Sequence, residues 1–144
     1  MSDSRRRPEA APAVDVVLEQ LAERLRAEGD LLSSIVRAAP VADDAAFEVP
    51  ERFAIAVAAI REGYLLHYRA GGLLAVEDDE DAALLAGDHL YALGLSELAE
   101  IGDLAAVRAM ADVIDRCAVA HAAGDTAAAQ RAWEIGTRAL GADR

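Results

Sequence analysis

Apolar positions recur along this chain at helical spacing, and the interruptions fall at glycine, proline and aspartate. Residues 14–28 read as a first helix, with Val17, Leu18, Leu21 and Leu25 on one side and Glu19, Glu23 and Arg24 on the other. Gly29 ends it, and Asp30 is placed to cap a short second helix through Leu31, Leu32, Ile35 and Val36, which Pro40 stops. The stretch 41–49 is polar and irregular, a loop. Pro50 then occupies a helix start, where its missing N–H does no harm, and a third helix runs to about Arg69. It carries Phe53, Ile55, Val57, Ile60, Tyr64, Leu65, Leu66 and Tyr68, and Gly71-Gly72 closes it.

A fourth helix begins among Asp78 to Asp81 and continues to about Ile101. Gly102-Asp103 repeats the stop-and-cap device and opens a fifth helix through Leu104, Val107, Met110, Ile114 and Ala118. Gly124-Asp125 repeats it again before a last helix bearing Trp133, Ile135 and Leu140. The β-formers never alternate over a strand length. The pattern therefore predicts an all-α fold, a compact bundle of about six helices. Residues 1–12, with Ser, Arg and two prolines, read as a disordered tail, and residues 13–144 as a single helical domain.

The third and fourth helices are apolar nearly all round. In the fourth, Leu84, Tyr91, Leu95 and Leu98 form one stripe, while Leu85, Leu90, Leu93 and Ile101 occupy other sides. Such a helix must be central or be covered partly by another chain, and a domain this small encloses only one or two. Two such helices point to an intermolecular surface.

Charge narrows the choice of partner. The 14 basic and 26 acidic side chains give a formal charge of −12. That charge repels phosphate backbones and anionic membrane surfaces, which argues against nucleic acid and lipid as partners. Arg5-Arg6-Arg7 is short and followed at once by Pro8 and Glu9, so it reads as part of the tail. No apolar run follows those arginines, since Asp15 and Glu19 interrupt it, and no signal segment is expected. The longest uncharged runs, such as residues 53–60, are too short to span a bilayer. With Cys117 as the lone cysteine, no intrachain disulfide forms, and a cytoplasmic protein is the expectation.

Candidate chemistry is sparse. Glu77, Asp78 and Asp81 sit within one acidic run, spaced so that a helix would project them together toward Mg²⁺ and a diphosphate. The competing reading is a helix start, where the dipole favours acidic side chains. His67, His89 and His121 fall on three different helices without metal-binding spacing, and Cys117 sits among small residues as core packing. No cofactor fingerprint is present, so no cofactor is expected. Gly87-Asp88 interrupts an apolar helix, where Gly costs about 1 kcal/mol relative to Ala. A glycine permitting close helix approach, beside an acid needing a buried partner, reads as a packing device or a functional pair.

The residues Ala83-Leu84-Leu85-Ala86-Gly87-Asp88-His89-Leu90-Tyr91-Ala92, then Leu98-Ala99-Glu100-Ile101-Gly102-Asp103 and the helix from Val107 to Ala118, resemble a segment of trans-polyprenyl diphosphate synthases. The resemblance is closest to the small subunit of heteromeric synthases, the heptaprenyl diphosphate synthase component I type, and extends to Tyr64, Leu65 and His67-Tyr68. It implies a partial isoprenoid-synthase-like fold. The paired aspartates and trailing arginines of catalytic members have no counterpart here. Residues 60–68 contain Glu62 but no paired aspartates, and the 77–81 run lies too near Gly87 and lacks the arginines. The resemblance thus implies a non-catalytic subunit that binds a catalytic prenyl synthase chain and modulates its activity or product length. Its contact would lie at Gly87, Asp88, Tyr91, Leu95 and Leu98, the last three buried only once a second chain is present. The alternative is a helical adaptor or self-associating homodimer unrelated to prenyl transfer; a free-standing enzyme is the third reading.

Overall fold

The computed structural model describes residues 13–43, 47–76 and 78–141. Six α-helices follow in order: α1 (Val14–Ala27), α2 (Asp30–Ile35), α3 (Ala54–Tyr68), α4 (Glu80–Ile101), α5 (Leu104–Ala122) and α6 (Thr126–Gly141). A single 3-10 turn, Glu51–Phe53, leads from Pro50 into α3. Among the described residues there is no strand, and one isolated antiparallel bridge joins Val36 to Leu74. The all-α bundle expected from the pattern is what forms. The tail at 1–12, Glu77 and the last three residues lie outside the described residues.

The aspartate caps work as the spacing implied. Asp79, Asp103 and Asp125 accept hydrogen bonds from the N–H groups of Ala82, Ala106 and Ala128, each at 3.0 Å, and so open α4, α5 and α6. Gly102 ends α4 in the left-handed region at φ 85°, which favours glycine. At α2 the expectation fails. Gly29 occupies the cap position, and Asp30 lies inside the helix with no side-chain capping bond.

Helix α3 lies at the centre. Ala56, Ala59, Ile60, Tyr64 and Leu65 are buried on successive faces, so its all-round apolarity is used within the chain. Its largest interface is with α4. There Gly63 faces Gly87 and Gly94 faces Ala56 and Ile60. A Cβ on Gly63 would fall 2.8 Å from the Gly87 carbonyl, and one on Gly94 would fall 2.7 Å from the Ala56 carbonyl. The glycines set the spacing of the two helices, because nothing larger than hydrogen fits between the backbones.

Helix α4, unlike α3, is one-sided. It buries Ala86, Gly87, Leu90, Leu93, Gly94 and Leu98 and leaves Leu84, Leu85 and Ile101 exposed. Only one of the two all-round apolar helices is therefore enclosed. The buried residues divide between two clusters. One joins α3 to the α5–α6 hairpin around Phe53, Met110 and Trp133; the other joins α1 to α4 around Leu21, Leu25 and Leu90. Residues 71–76, beyond Gly71, are not mere linker. Leu73, Leu74 and Val76 are buried in the second cluster, and Leu73 and Ala75 pair with Arg37 and Ile35 through backbone hydrogen bonds.

Candidate functional site

Of the sequence-predicted residues of α4, Gly87, Asp88 and Tyr91 meet His67 of α3, Asp88 from the exposed rim of the contact. Gly87 makes room for the ring of His67, since a Cβ there would fall 2.6 Å from His67 Cδ2. The His67 ring stacks on Tyr91, with centroids 5.1 Å apart and planes within 6°. Asp88 Oδ1 is 3.0 Å from His67 Nε2, close enough for an ion pair with protonated histidine but without hydrogen-bond geometry. The Asp88 side chain is 69% exposed, so the acid meets its partner at the surface and not in the interior. Burial, with help from nearby Tyr68, pushes the Tyr91 phenol up from its ordinary pKa.

Leu95 packs partly buried against the main core, as does Tyr91, and Leu98 is fully buried. The expectation that Leu98 waits for a second chain to cover it is overturned: its own chain does so. The side of α4 that remains open carries Leu84, Leu85 and Asp88 instead, with Leu85 71% exposed.

The acidic run opens a helix. Asp78 and Asp81 are exposed, the intervening Asp79 is the cap, and Glu77 lies outside the described residues. Among the described residues no group of three or more histidine, cysteine or acidic side chains is arranged to hold a metal ion. Each histidine has a neighbour of its own. His89 Nε2 lies 2.8 Å from Glu28 Oε2. His121 Nε2 lies 2.8 Å from the Tyr64 hydroxyl, and its ring stacks on Tyr68 at 4.1 Å. Cys117 is fully buried, and burial pushes its thiol up to about 11, the opposite of what a nucleophilic cysteine needs.

The most polar interior point was not anticipated. Arg61 and Glu62 are adjacent on α3, yet both are drawn inside. Arg61 Nε and Nη2 donate to Asp43 Oδ2 at 3.1 and 2.6 Å. Its guanidinium also lies over the rings of Tyr64, Trp133 and Phe47, at 4.8, 5.0 and 5.3 Å. Glu62 is only 3% exposed, and among the described residues its Oε2 has no hydrogen-bond partner. Burial foremost, and the negative charge of Asp43 next, push its carboxyl up to about 7. The backbone N–H groups of Leu73 and Gly72 and the Arg61 charge oppose that rise without cancelling it.

These three side chains line one end of a half-open cleft of about 70 Å³. Its walls are Val17 and Leu18 of α1, Val57 and Ala58 of α3, and Phe47 and Val49 of the segment between α2 and α3. Apolar walls with a few polar groups and a perturbed carboxyl at one end are features of small-molecule sites, but about 70 Å³ is well below the roughly 300–1,000 Å³ such sites span. One sequence signal was available: a charged pair, Arg61-Glu62, set inside an otherwise apolar helix. Its partner Asp43, in the irregular loop, had no such signal.

Comparisons with protein-family models, with curated proteins and with solved structures found no match to this chain.

Proposed function

We infer that this protein is a non-catalytic helical subunit that acts by docking on another chain. The docking surface is the outer side of α4, around Leu84, Leu85 and Asp88. The observation that carries the reading is that α4 holds two leucines open to solvent beside Gly87-Asp88, while its opposite side is locked on α3. Clustered exposed leucines mark contact surfaces more often than isolated ones do. The partner proposed is a catalytic trans-polyprenyl diphosphate synthase chain. What supports it is the resemblance, together with the layout of its segment: a long helix with Gly87-Asp88 inside, a break at Gly102, and a second helix after it.

The test is assembly in solution. Mixing the purified protein with a catalytic synthase chain bearing both aspartate-rich motifs should give a complex of defined mass by light scattering. Leu85→Glu should abolish that complex while leaving the helical circular dichroism unchanged. If the protein stays separate from the synthase chain but forms a dimer that Leu85→Glu splits, the surface serves self-association and the prenyl-synthase partner is wrong. If Leu85→Glu unfolds the chain, the leucine belongs to the fold and not to a surface.

A further inference from the structure

The open side of α4 stands apart in charge as well as in its exposed leucines. Between Arg69 and Arg108 the chain carries nine acidic residues and no Lys or Arg, and that stretch contains all of α4. We propose that the element docking there is an amphipathic helix of a partner protein, with leucine-like residues at its centre and arginine or lysine to either side. The proposal rests on the docking reading of α4 and names the chemistry of what docks.

Placement along the helix supports this. Leu85, His89, Ala92, Ser96 and Glu100 succeed one another at steps of four, three, four and four residues, so they share one side of α4, and all five are exposed. Around the leucines, Asp81 lies one turn before and Asp88 one turn after, both exposed. Toward the other end the same side borders a groove of about 280 Å³ against α1. Ala92 and Leu93 lie along it, with Arg24 and Glu28 of α1 and Glu97 and Glu100 of α4 at its edges. Three carboxylates there converge on one guanidinium. Glu97 is hydrogen-bonded to Arg24 and, with Glu100 and Glu28, pushes the guanidinium pKa up from its ordinary value. One arginine against three glutamates leaves the groove negative.

These charges choose among occupants. A second copy of this chain would set acid against acid along the whole contact, and like charges facing each other oppose association. A purely apolar helix would desolvate Asp81, Asp88 and Glu100 and return no counter-charge. Basic residues beside an apolar centre answer both halves of the surface, and they also steer the encounter from a distance. The spacing is set by α4 itself. Leu85 and Ser96, at the groove, are eleven residues apart, about 16 Å at the helical rise. The partner's basic groups therefore lie about three turns from its leucines.

The test uses labelled helical peptides of one length, titrated with the full chain and followed by fluorescence anisotropy. The first has a central leucine pair with arginines three turns to either side, an arrangement that serves either helix direction. The second replaces its arginines by glutamates, and the third replaces its leucines by alanines. The arginine–leucine peptide should bind saturably and about tenfold or more tighter than either control. Its affinity should fall about tenfold or more between low salt and about 1 M salt, where the screening length shrinks to about 3 Å. Glu100→Lys changes an exposed side chain and should weaken that binding about tenfold with the helical circular dichroism unchanged. Equal binding of the arginine and glutamate peptides would overturn recognition by charge. Absence of saturable binding by the arginine peptide, or a dimer of this protein alone that Leu85→Glu splits, would overturn the occupant. A synthase complex that Leu85→Glu abolishes, but that neither salt nor Glu100→Lys affects, would overturn this proposal and leave the docking reading standing. Binding of the arginine peptide without any synthase complex would support this proposal and overturn the synthase partner.

Discussion

Two polar side chains are buried among the described residues, and they sit in unlike parts of the molecule. Thr137 belongs to α6, where its hydroxyl donates to the Trp133 carbonyl one turn earlier at 2.7 Å. The need is met inside the helix that carries it. Glu62 belongs to α3, and the groups that act on it come mostly from elsewhere: Asp43 from a loop and Leu73 and Gly72 from the segment beyond α3, with only Arg61 from its own helix. The α5–α6 hairpin is built of local rules: aspartate caps, a glycine stop and apolar residues at helical spacing. The α3 layer is built of long-range placements. A region of the first kind should respond to mutation locally and little to pH; a region of the second kind should respond to both.

The largest effect is expected where the two regions meet. Trp133 is buried on α6 and touches Phe47, Tyr64 and the Arg61 guanidinium. Trp133→Ala should lower unfolding stability by about 3–5 kcal/mol, measured by urea denaturation. A loss below about 1 kcal/mol would mean that the hairpin and the α3 layer are not coupled through this ring.

Next comes the pH response of Glu62. Its carboxyl titrates at about 7 when folded, above the ordinary value of 4.5 expected when the chain is unfolded. Folding therefore favours the protonated form. The contribution is fully present below pH 4.5 and is lost as pH rises through 7. Over that window the wild type should lose about 3 kcal/mol relative to Glu62→Gln, which keeps the shape and does not ionise. Parallel stability–pH curves for the two proteins would show that the Glu62 carboxyl is no more than an ordinary surface acid in energy.

The helix caps come third. Asp103→Ala and Asp125→Ala should each cost about 1 kcal/mol, since each leaves an N–H group at a helix start without its acceptor. A cost near zero at both would remove the claim that the hairpin rests on local rules. Smallest is the exposed acidic run. Asp78→Asn with Asp81→Asn should change stability only slightly, and less in high salt, because solvent screens dipole interactions at these exposed positions.

The same division explains what could be read in advance. The all-α fold, the breaks at Gly102 and Gly124 and the caps at Asp103 and Asp125, though not the one expected at Asp30, were legible, because each depends on neighbours within a turn. The closeness of α3 and α4 was legible in part. Gly87 announced a close approach, but Gly63 and His67 on the facing helix could not be paired with it without the fold. The cleft was not legible. Glu62 appears in the sequence as a charge in an apolar helix, and nothing local says whether it faces water or the interior. The α4 leucines failed in the opposite way: periodicity grouped Leu98 with Leu84, whereas packing buries the first and exposes the second. A period identifies a face but not what lies opposite it.

The claim that this chain acts through another is tested most directly by turnover. Condensation of isopentenyl diphosphate with an allylic diphosphate in Mg²⁺ would be measured for this protein alone, for a catalytic synthase chain alone, and for the two together, with product length recorded in each. The account predicts no turnover by this protein alone and a change in rate or product length when the two are combined, lost again with Leu85→Glu. Turnover by this protein alone, or identical rates and products with and without it, would contradict the account.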